Sequence, residues 1–200
     1  MLAATTNKQR NKPGGSGQLR IIGGEWRGRK LSFPDVEGLR PTADRVRETL
    51  FNWLQMKIPG ARCLDLFAGS GALGLEALSR GAAEVVMVEQ DRGAAQQIRA
   101  HLQTLNASQG HLKNSDAFHY LKQPDKPFDI VFLDPPYKLA CIEECCHLLV
   151  TENWLNDDAL IYIEDASSNP APKLPSGWTL THNKKAGEIG YYLAKTSASS

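Results

Sequence analysis

From Ala61 onward, short apolar segments alternate with longer amphipathic ones, and this alternation restricts the fold more than any other feature of the chain. Short runs rich in Val, Ile and Leu are typical of strands buried in a parallel sheet, and the segments between them have helical periodicity. The pattern predicts an α/β fold with a doubly wound, mostly parallel sheet that ends in an antiparallel hairpin. The predicted strands are 62–67, 84–89, 111–114, 128–133, 159–163, 178–183 and 190–194, and the predicted helices are 71–80, 92–105, 118–121 and 139–150.

A glycine-rich loop follows the first of these strands. Gly69, Gly71 and Gly74 have the spacing G-x-G-x-x-G, and Glu89 lies 20 residues after Gly69, at the end of the next predicted strand. Glycines at these positions let the backbone approach a ligand closely, and the later acidic residue binds ribose hydroxyls. The loop by itself leaves open whether the cofactor is a nicotinamide dinucleotide or S-adenosylmethionine.

Acidic residues at three predicted strand ends favour S-adenosylmethionine. Asp65 lies inside its strand, where a carboxylate is costly without a ligand or backbone partner, and Asp116 follows the third strand. We expect Asp65 near the methionyl ammonium, Glu89 on the ribose and Asp116 on the adenine amine, whereas these carboxylates would repel a pyrophosphate. The candidate cofactor-binding residues are Asp65, Phe67, Ala68, Gly69, Ser70, Gly71, Glu89, Gln90, Asp116 and Ala117.

The predicted strand 128–133 ends in Asp134-Pro135-Pro136-Tyr137. In open α/β sheets, ligands bind at the carboxyl ends of the strands, near the point where the strand order reverses. The two prolines remove backbone donors and stiffen the turn, which leaves a carboxylate, carbonyl oxygens and a ring that can stack. Such a turn suits a flat amine, for example the exocyclic amine of a nucleobase; the alternative is an ordinary turn. The candidate catalytic residues are Asp134, Pro135, Pro136 and Tyr137.

Positive charge is concentrated at the start of the chain. Residues 1–47 contain 10 Lys and Arg against 4 Asp and Glu, whereas the remainder contains 13 basic and 18 acidic residues. This distribution predicts a polyanionic partner, with a solvated basic tail as the alternative.

A small ribbon and a helix are predicted within this basic segment. Two strands, 19–22 and 26–31, flank a glycine turn, and a helix extends from Thr42 to about Lys57. Cations interleaved with a tryptophan are typical of nucleic-acid contact, because cations bind phosphates and the ring can stack. Alternatively, Trp26 packs the ribbon onto the main domain and the cations are ordinary surface charges. The candidate RNA-binding residues are Arg20, Trp26, Arg27, Arg29, Lys30, Arg40, Arg45 and Arg47.

Cysteine placement and apolar content narrow the class of protein. The four cysteines, Cys63, Cys141, Cys145 and Cys146, make a poor disulfide framework, which indicates a reduced, cytoplasmic protein. Three of them share a predicted helix, where a buried face explains them better than zinc, so no metal is predicted. No apolar run approaches the roughly 18 residues that a membrane span needs, so no membrane partner is expected.

Several long segments resemble one family. The glycine loop, Asp116 and the turn at 134–137 resemble the class I, Rossmann-like methyltransferases, and the turn resembles the motif of enzymes that methylate exocyclic amines of nucleobases. With the segments 19–31, 40–51 and 65–80, the chain from Leu19 to Ala194 is similar to the bacterial 16S ribosomal RNA guanine-N2 methyltransferases, the RsmD type (guanine 966 type).

The resemblance implies a specific reaction and domain organisation. It implies transfer of a methyl group from S-adenosylmethionine to the N2 amine of a guanine in 16S rRNA, within 30S subunits or their assembly intermediates, by a monomer. Residues 18–58 would be an RNA-binding ribbon and helix, and 59–196 the S-adenosylmethionine-dependent methyltransferase domain. Composition, not the resemblance, predicts that residues 1–17 are a disordered basic tail, because they cannot bury enough apolar area to offset chain entropy. The alternatives are a DNA adenine-N6 amino-methyltransferase, an NAD-binding dehydrogenase and a non-enzymatic ribosome-assembly factor.

Overall fold

The structure is a computed structural model, and it describes residues 17–33, 44–123, 125–136 and 140–197. The predicted disordered tail lies outside these residues except for Gly17, as do Arg40, Thr42 and Tyr137.

Nine strands and five helices are present in the described ranges. In chain order they are β1 (Gly17–Arg20), β2 (Lys30–Phe33), α1 (Asp44–Trp53), β3 (Arg62–Asp65), α2 (Ala72–Ser79), β4 (Glu84–Glu89), α3 (Arg92–Thr104), β5 (Gly110–Asn114), α4 (Ala117–Leu121), β6 (Phe128–Leu133), α5 (Ile142–Thr151), β7 (Leu155–Ala166), β8 (Trp178–Ala186) and β9 (Ile189–Thr196).

Seven strands form one sheet in the order β5-β4-β3-β6-β7-β9-β8. The first five of these are parallel, and β9 pairs antiparallel with both β7 and β8. The predicted doubly wound sheet with a terminal antiparallel hairpin is therefore confirmed. The chain runs from β3 outward to β5 and then returns to the other side of β3, so the strand order reverses between β3 and β6.

Local signals explain where three helices begin. At the start of α3, the Asp91 carboxylate accepts a hydrogen bond from the N–H of Ala94 at 2.8 Å. At the start of α4, the Asp116 carboxylate accepts one from the N–H of His119 at 3.0 Å. Helix α2 instead follows Gly71, whose φ of 79° lies in the left-handed region that favours glycine. All eight residues of α2 are buried, as expected for a helix that is apolar on every side.

The ribbon formed by β1 and β2 differs from its prediction. The two strands pair antiparallel, but the strand predicted at 26–31 is wrong, because β2 begins at Lys30. The preceding residues fold into a turn in which Arg27 N–H donates to the Gly24 carbonyl at 3.2 Å and Gly28 N–H donates to the Ile21 carbonyl at 2.8 Å. Two glycines with positive φ, Gly24 and Gly28, make this turn possible.

Two apolar clusters cover the two faces of the large sheet. The first joins the ribbon, α1, α2 and α3 to strand residues that include Cys63, Phe132 and Tyr162. The second packs α4 and α5 against the alternate strand residues, such as Leu64 and Val131. Because the N-terminal elements share a cluster with the sheet, their burial depends on the same packing as the main fold. The division at residue 58 stays a prediction.

The N-terminal segment is fastened to α2 by a buried carboxylate. Glu76 has no exposed surface, and its two oxygens accept hydrogen bonds from the N–H groups of Ile22 and Gly23, each at 2.8 Å. Arg80 pairs with the same carboxylate at 2.7 Å, and the buried Arg47 lies 3.8 Å away. A buried charge with this many partners is costly to disturb, because removing one side leaves the other uncompensated.

Replacing Gly24 with Ala should destabilise the fold more than replacing Gly28 with Ala. A Cβ on Gly24 would lie 1.8 Å from the Ser79 carbonyl oxygen, whereas one on Gly28 meets nothing within 4 Å. Since φ is positive at both positions, both substitutions carry a left-handed penalty of about 1–2 kcal/mol. Only Gly24→Ala also displaces backbone, which adds about 1–3 kcal/mol. Urea unfolding of the two variants measures the difference, and equal losses would contradict this account of the turn.

Candidate active site

The carboxyl ends of β3, β4 and β6 meet where the strand order reverses. The loop after β3 is joined to both neighbouring strands, because Leu66 N–H donates to the Phe132 carbonyl at 3.2 Å and Ala68 N–H donates to the Val88 carbonyl at 2.9 Å. The glycine loop and the Asp134 turn therefore lie side by side at one edge of the sheet, as the sequence predicts.

Asp65, the last residue of β3, is almost completely buried. Its Oδ2 accepts a hydrogen bond from the N–H of Gly74 in the first turn of α2, at 2.9 Å. A side chain at Gly74 would collide with Met87, since an added Cβ would lie 2.6 Å from its sulfur. Asp65 thus has the backbone partner that its buried position requires, and it fixes the start of α2 against the sheet.

Glu89, the last residue of β4, holds the loop from the other side. Its Oε2 accepts a hydrogen bond from the N–H of Gly69 and its Oε1 accepts one from the N–H of Asp91, each at 2.7 Å. The carboxylate is half-buried, and its orientation is fixed by these two bonds. A carboxylate has about four acceptor positions, so capacity for ligand hydroxyls remains.

Three carboxylates influence each other at this edge. Burial raises the pKa of Asp65 to about 7, the Gly74 hydrogen bond opposes that rise, and the negative charges of Asp134 and Glu89 add to it. Burial also raises the pKa of Glu89. Repulsion between these acids falls when a positively charged ligand lies among them, so the arrangement suits a cation and disfavours an anion such as a pyrophosphate.

The other candidate cofactor-binding residues lie along the same edge. Ala68, Ser70 and Gly71 are buried, Phe67 and Gly69 are half-buried, and Gln90 is exposed. Asp116 is exposed after β5, where its carboxylate also begins α4, and Ala117 is buried. The structure thus brings the glycine loop and the ends of β4 and β5 to one edge; contact with a cofactor stays a prediction.

The turn after β6 is only partly described. Asp134 is half-buried, Pro135 is buried and Pro136 is exposed, whereas Tyr137 lies outside the described residues. Burial raises the pKa of Tyr162, and the negative charges of Glu164 and Asp134 add to this rise. In the sheet, Phe132 pairs with both Asp65 and Tyr162, so Asp134 follows two residues beyond the level of these side chains.

Two of the candidate RNA-binding residues are buried. Trp26 is 8% exposed within the first apolar cluster, and its backbone N–H donates to the Ser79 hydroxyl at 2.9 Å. The prediction that its ring stacks on RNA is therefore wrong, and the alternative, that Trp26 packs the ribbon onto the main domain, is correct. Arg47 is 1% exposed and donates to the Arg20 carbonyl at 2.9 Å and to Asp44 at 2.6 Å, so phosphate contact by Arg47 is also wrong. Arg47 is buried because it lies on the face of the amphipathic helix α1 that packs against the rest of the fold.

The remaining candidate cations are on the surface. Arg27, Arg29, Lys30 and Arg45 are exposed. Arg20 is exposed and pairs with Asp44 at 2.8 Å. The Arg27 turn adjoins Ser79, at the end of α2 opposite the glycine loop; eight helical residues span roughly 12 Å. Arg27 and Arg29 therefore lie away from Asp134.

The described part of the chain also shows the state of the cysteines, the grouping of possible metal ligands and the apolar content of the helices. All four cysteines are free and buried, three of them in the second apolar cluster. The described residues contain no group of three or more His, Cys, Asp or Glu arranged to hold a metal. Among those same residues, no helix has the length and apolar composition needed to cross a bilayer.

Glu76 is the important polar residue that the sequence predictions omitted. It fastens the N-terminal segment to the helix that follows the glycine loop. One signal was available: Glu76 is the single charged residue in the otherwise apolar run Ala72–Ser79, and a charge on a buried helix requires partners.

Comparisons with known proteins agree with this geometry. The family described as Conserved hypothetical protein 95 matches residues 19–195. Ribosomal RNA small subunit methyltransferase D of Escherichia coli is 53% identical over 184 residues, covering 92% of this chain and 93% of that protein. The protein of the same name from Haemophilus influenzae is 47% identical over 190 residues, covering 93% of this chain and 98% of that one. The solved structure of Escherichia coli yhhF aligns with a TM-score of 0.86 at 50% identity, covering 92% of this chain and all of that one.

Replacing Asp65 with Asn should remove a pH dependence of stability. The pKa of Asp65 is about 7 in the folded chain, against an ordinary value of 3.8. Between these values the folded protein keeps a proton that the unfolded chain releases, so its stability falls as pH rises from about 4 to about 7. At about 1.4 kcal/mol per pH unit, the variant should gain up to about 4 kcal/mol relative to the parent across this range. Denaturant unfolding of both proteins near pH 4 and pH 8 measures this gain; a difference between the two proteins that does not change with pH would contradict the burial argument.

Proposed function

The chain belongs to the family described as Conserved hypothetical protein 95, and on that premise we propose that it methylates 16S ribosomal RNA. The methyl group comes from S-adenosylmethionine, and the acceptor is the exocyclic N2 amine of a guanine in the small ribosomal subunit. Relatives that are 53% and 47% identical carry the name ribosomal RNA small subunit methyltransferase D, which supports the choice of RNA.

The observation that carries the choice of cofactor is the raised pKa of Asp65 among neighbouring carboxylates. S-adenosylmethionine carries positive charge on its sulfonium and ammonium groups, so it suits this edge of the sheet, whereas the pyrophosphate of a nicotinamide dinucleotide does not. We assign Asp65 to the ammonium side, directly or through water, Glu89 to the ribose hydroxyls and Asp116 to the adenine amine. The Gly69–Gly71 loop brings backbone close to the ligand.

The role of Asp134 follows from the chemistry of an aromatic amine. The lone pair of guanine N2 is delocalised into the ring, which makes the nitrogen a weak nucleophile. Accepting its N–H hydrogens at the Asp134 carboxylate and the Pro135 carbonyl favours a more pyramidal nitrogen and fixes its direction. Pro136 stiffens the turn, and Tyr137 is assigned to stack on the flipped base.

The reaction needs little beyond positioning. When bound, S-adenosylmethionine supplies an electrophilic methyl group on a good leaving group. The guanine nitrogen would form the new N–C bond as the C–S bond breaks, S-adenosylhomocysteine would leave as a neutral thioether, and one N–H proton would pass to water, so that the product is a neutral secondary amine. The chain's own contribution is to hold the amine in line and to exclude competing orientations.

The partner and the setting follow from the same assignment. The substrate is 16S rRNA within 30S subunits or assembly intermediates, which places the enzyme in the cytoplasm, where it acts as a monomer. The exposed cations Arg20, Arg27, Arg29, Lys30 and Arg45 supply phosphate contacts. In this proposal residues 18–58 contact the RNA, and residues 59–196 form the catalytic domain.

Small-subunit particles from cells that lack this protein should accept labelled methyl groups from S-adenosylmethionine when the purified protein is added. Nucleoside analysis should recover the label as N2-methylguanosine. Label in N6-methyladenine of DNA would overturn the substrate while sparing the chemistry, and no transfer to any nucleic acid would overturn the proposed activity.

Asp134→Asn should reduce methyl transfer by about a hundredfold or more, because the amine loses a charged acceptor and gains only a neutral amide while the turn keeps its shape. Binding of S-adenosylmethionine, measured by calorimetry, should be largely retained. The matched control is Asp158→Asn, which changes an acidic residue near the start of β7, at the other edge of the sheet from Asp134. This variant should transfer methyl groups like the parent. Full methyl transfer by Asp134→Asn would contradict the role assigned to this carboxylate.

Neutralising Arg27 and Arg29 together with Gln should weaken RNA association without changing S-adenosylmethionine binding. Each lost phosphate contact lowers the slope of log affinity against log salt by about 0.7–0.9, so the slope should flatten by roughly 1.5. Filter binding to 16S rRNA across salt concentrations measures this. A control double variant, Lys122→Gln with Lys173→Gln, removes the same amount of charge from other parts of the surface. If both double variants flatten the salt dependence of RNA binding equally, Arg27 and Arg29 are ordinary surface charges.

A further inference from the structure

The register of the sheet places one basic strand level with Asp134. Leu133 pairs with Ile163, so Asp134 is level with Glu164; Glu164 pairs with Tyr191, and Tyr191 pairs with Lys184. Three strand spacings separate the backbones of Asp134 and Lys184, which is roughly 14 Å. The outer strand β8 therefore reaches the same edge of the sheet as the candidate active site.

A bulge in β8 decides which face its side chains occupy. Leu180 pairs with Ala194, but His182 pairs with Leu193, so Thr181 is an extra residue in the strand. Before the bulge, Leu180 packs with the second apolar cluster, on the α5 face. After it, even-numbered residues lie on the other face, and Ala186 packs with the first cluster. If β8 continued through Thr181 as a regular strand, His182 and Lys184 would be on the α5 face.

The bulge brings His182 onto a stack of aromatic rings. Trp53, the last residue of α1, stacks with Tyr191 at a centroid distance of 5.5 Å and with His182 at 4.8 Å. Tyr191 is 4% exposed, Trp53 is half-buried and His182 is exposed. Tyr191 is therefore the buried ring of this cluster and His182 the exposed one, so His182 is the ring that a nucleobase can reach.

Positive charge accompanies the exposed end of the stack. The ammonium of Lys184 lies 6.0 Å from the centre of the Trp53 ring. Lys184 and Lys185 are both exposed, and the segment 178–187 contains no acidic residue. The Lys185 ammonium donates to the Ser167 carbonyl at 2.7 Å, which leaves Lys184 as the better placed cation for a phosphate.

We propose that His182 and Lys184 bind a single-stranded segment of the substrate RNA beside the target base. His182 extends the Trp53–Tyr191 stack to one nucleobase, and Lys184 binds a neighbouring phosphate. This inference rests on the proposed function, and it adds a contact on the same face and level as Asp134, whereas the Arg27 turn lies at the far end of α2. The contact orients the RNA strand so that the target amine reaches Asp134.

His182→Ala and Lys184→Gln test the contact, since both side chains are exposed and their loss leaves the core unchanged. Each should raise the KM for small-subunit particles roughly fivefold or more, because base stacking and phosphate contacts are lost. The melting temperature and S-adenosylmethionine binding should stay at parent values. The control is Lys173→Gln, an 85% exposed lysine near Glu143 of α5 on the opposite face, which should leave the KM unchanged.

Filter binding of the same proteins to 16S rRNA separates this inference from the proposed function. If the parent transfers methyl groups and the two variants keep the parent KM, the contact is overturned and the function stands. If the parent binds RNA without transferring methyl groups, and the variants bind more weakly than Lys173→Gln, the function fails and the contact stands. Absence of RNA binding by the parent would overturn both.

Discussion

The hydrogen bond between the buried Asp65 carboxylate and the N–H of Gly74 is the constraint on which the functional edge of the sheet depends. It ties the end of β3 to the first turn of α2, and the loop between them has no freedom to move away from β4 and β6. Gly74 must lack a side chain for this approach, because Met87 fills the adjacent space. Burial raises the pKa of this carboxyl to about 7, so its ionised form is costly unless a positive charge lies beside it.

A protein that binds both a cationic cofactor and a polyanionic RNA has to separate two kinds of charge. In this chain the acids Asp65, Glu89 and Asp134 gather at the ends of the central strands, whereas exposed cations lie on the ribbon and on the outer strand β8. The two regions share one apolar cluster, and Glu76 links the ribbon turn directly to α2. RNA phosphates can therefore be attracted to the periphery without meeting the acids, while the target base reaches them.

The sequence predicted the sheet, its order of elements and the meeting of the glycine loop with the Asp134 turn, because strand periodicity and β–α alternation determine these features. It could not decide between the two interpretations of Trp26, since burial depends on where the ribbon turn packs, and only Ser79 and the first cluster supply that partner. Arg47 was mistaken for a surface cation because helical periodicity does not reveal a buried ion pair across 29 residues of chain. The bulge at Thr181 leaves no mark in the hydrophobic pattern, so the face occupied by His182 was visible only in the register.

Calorimetry of S-adenosylmethionine binding near pH 6.5 shows whether the carboxylates at the sheet edge select a cationic cofactor. Because Asp65 has a pKa of about 7, it is largely protonated at this pH, and a bound cation should drive it to release its proton. The account predicts binding of S-adenosylmethionine with proton release, detected as a dependence of the heat on the ionisation enthalpy of the buffer, and no binding of NADH. Tight binding of NADH with no response to S-adenosylmethionine would contradict it.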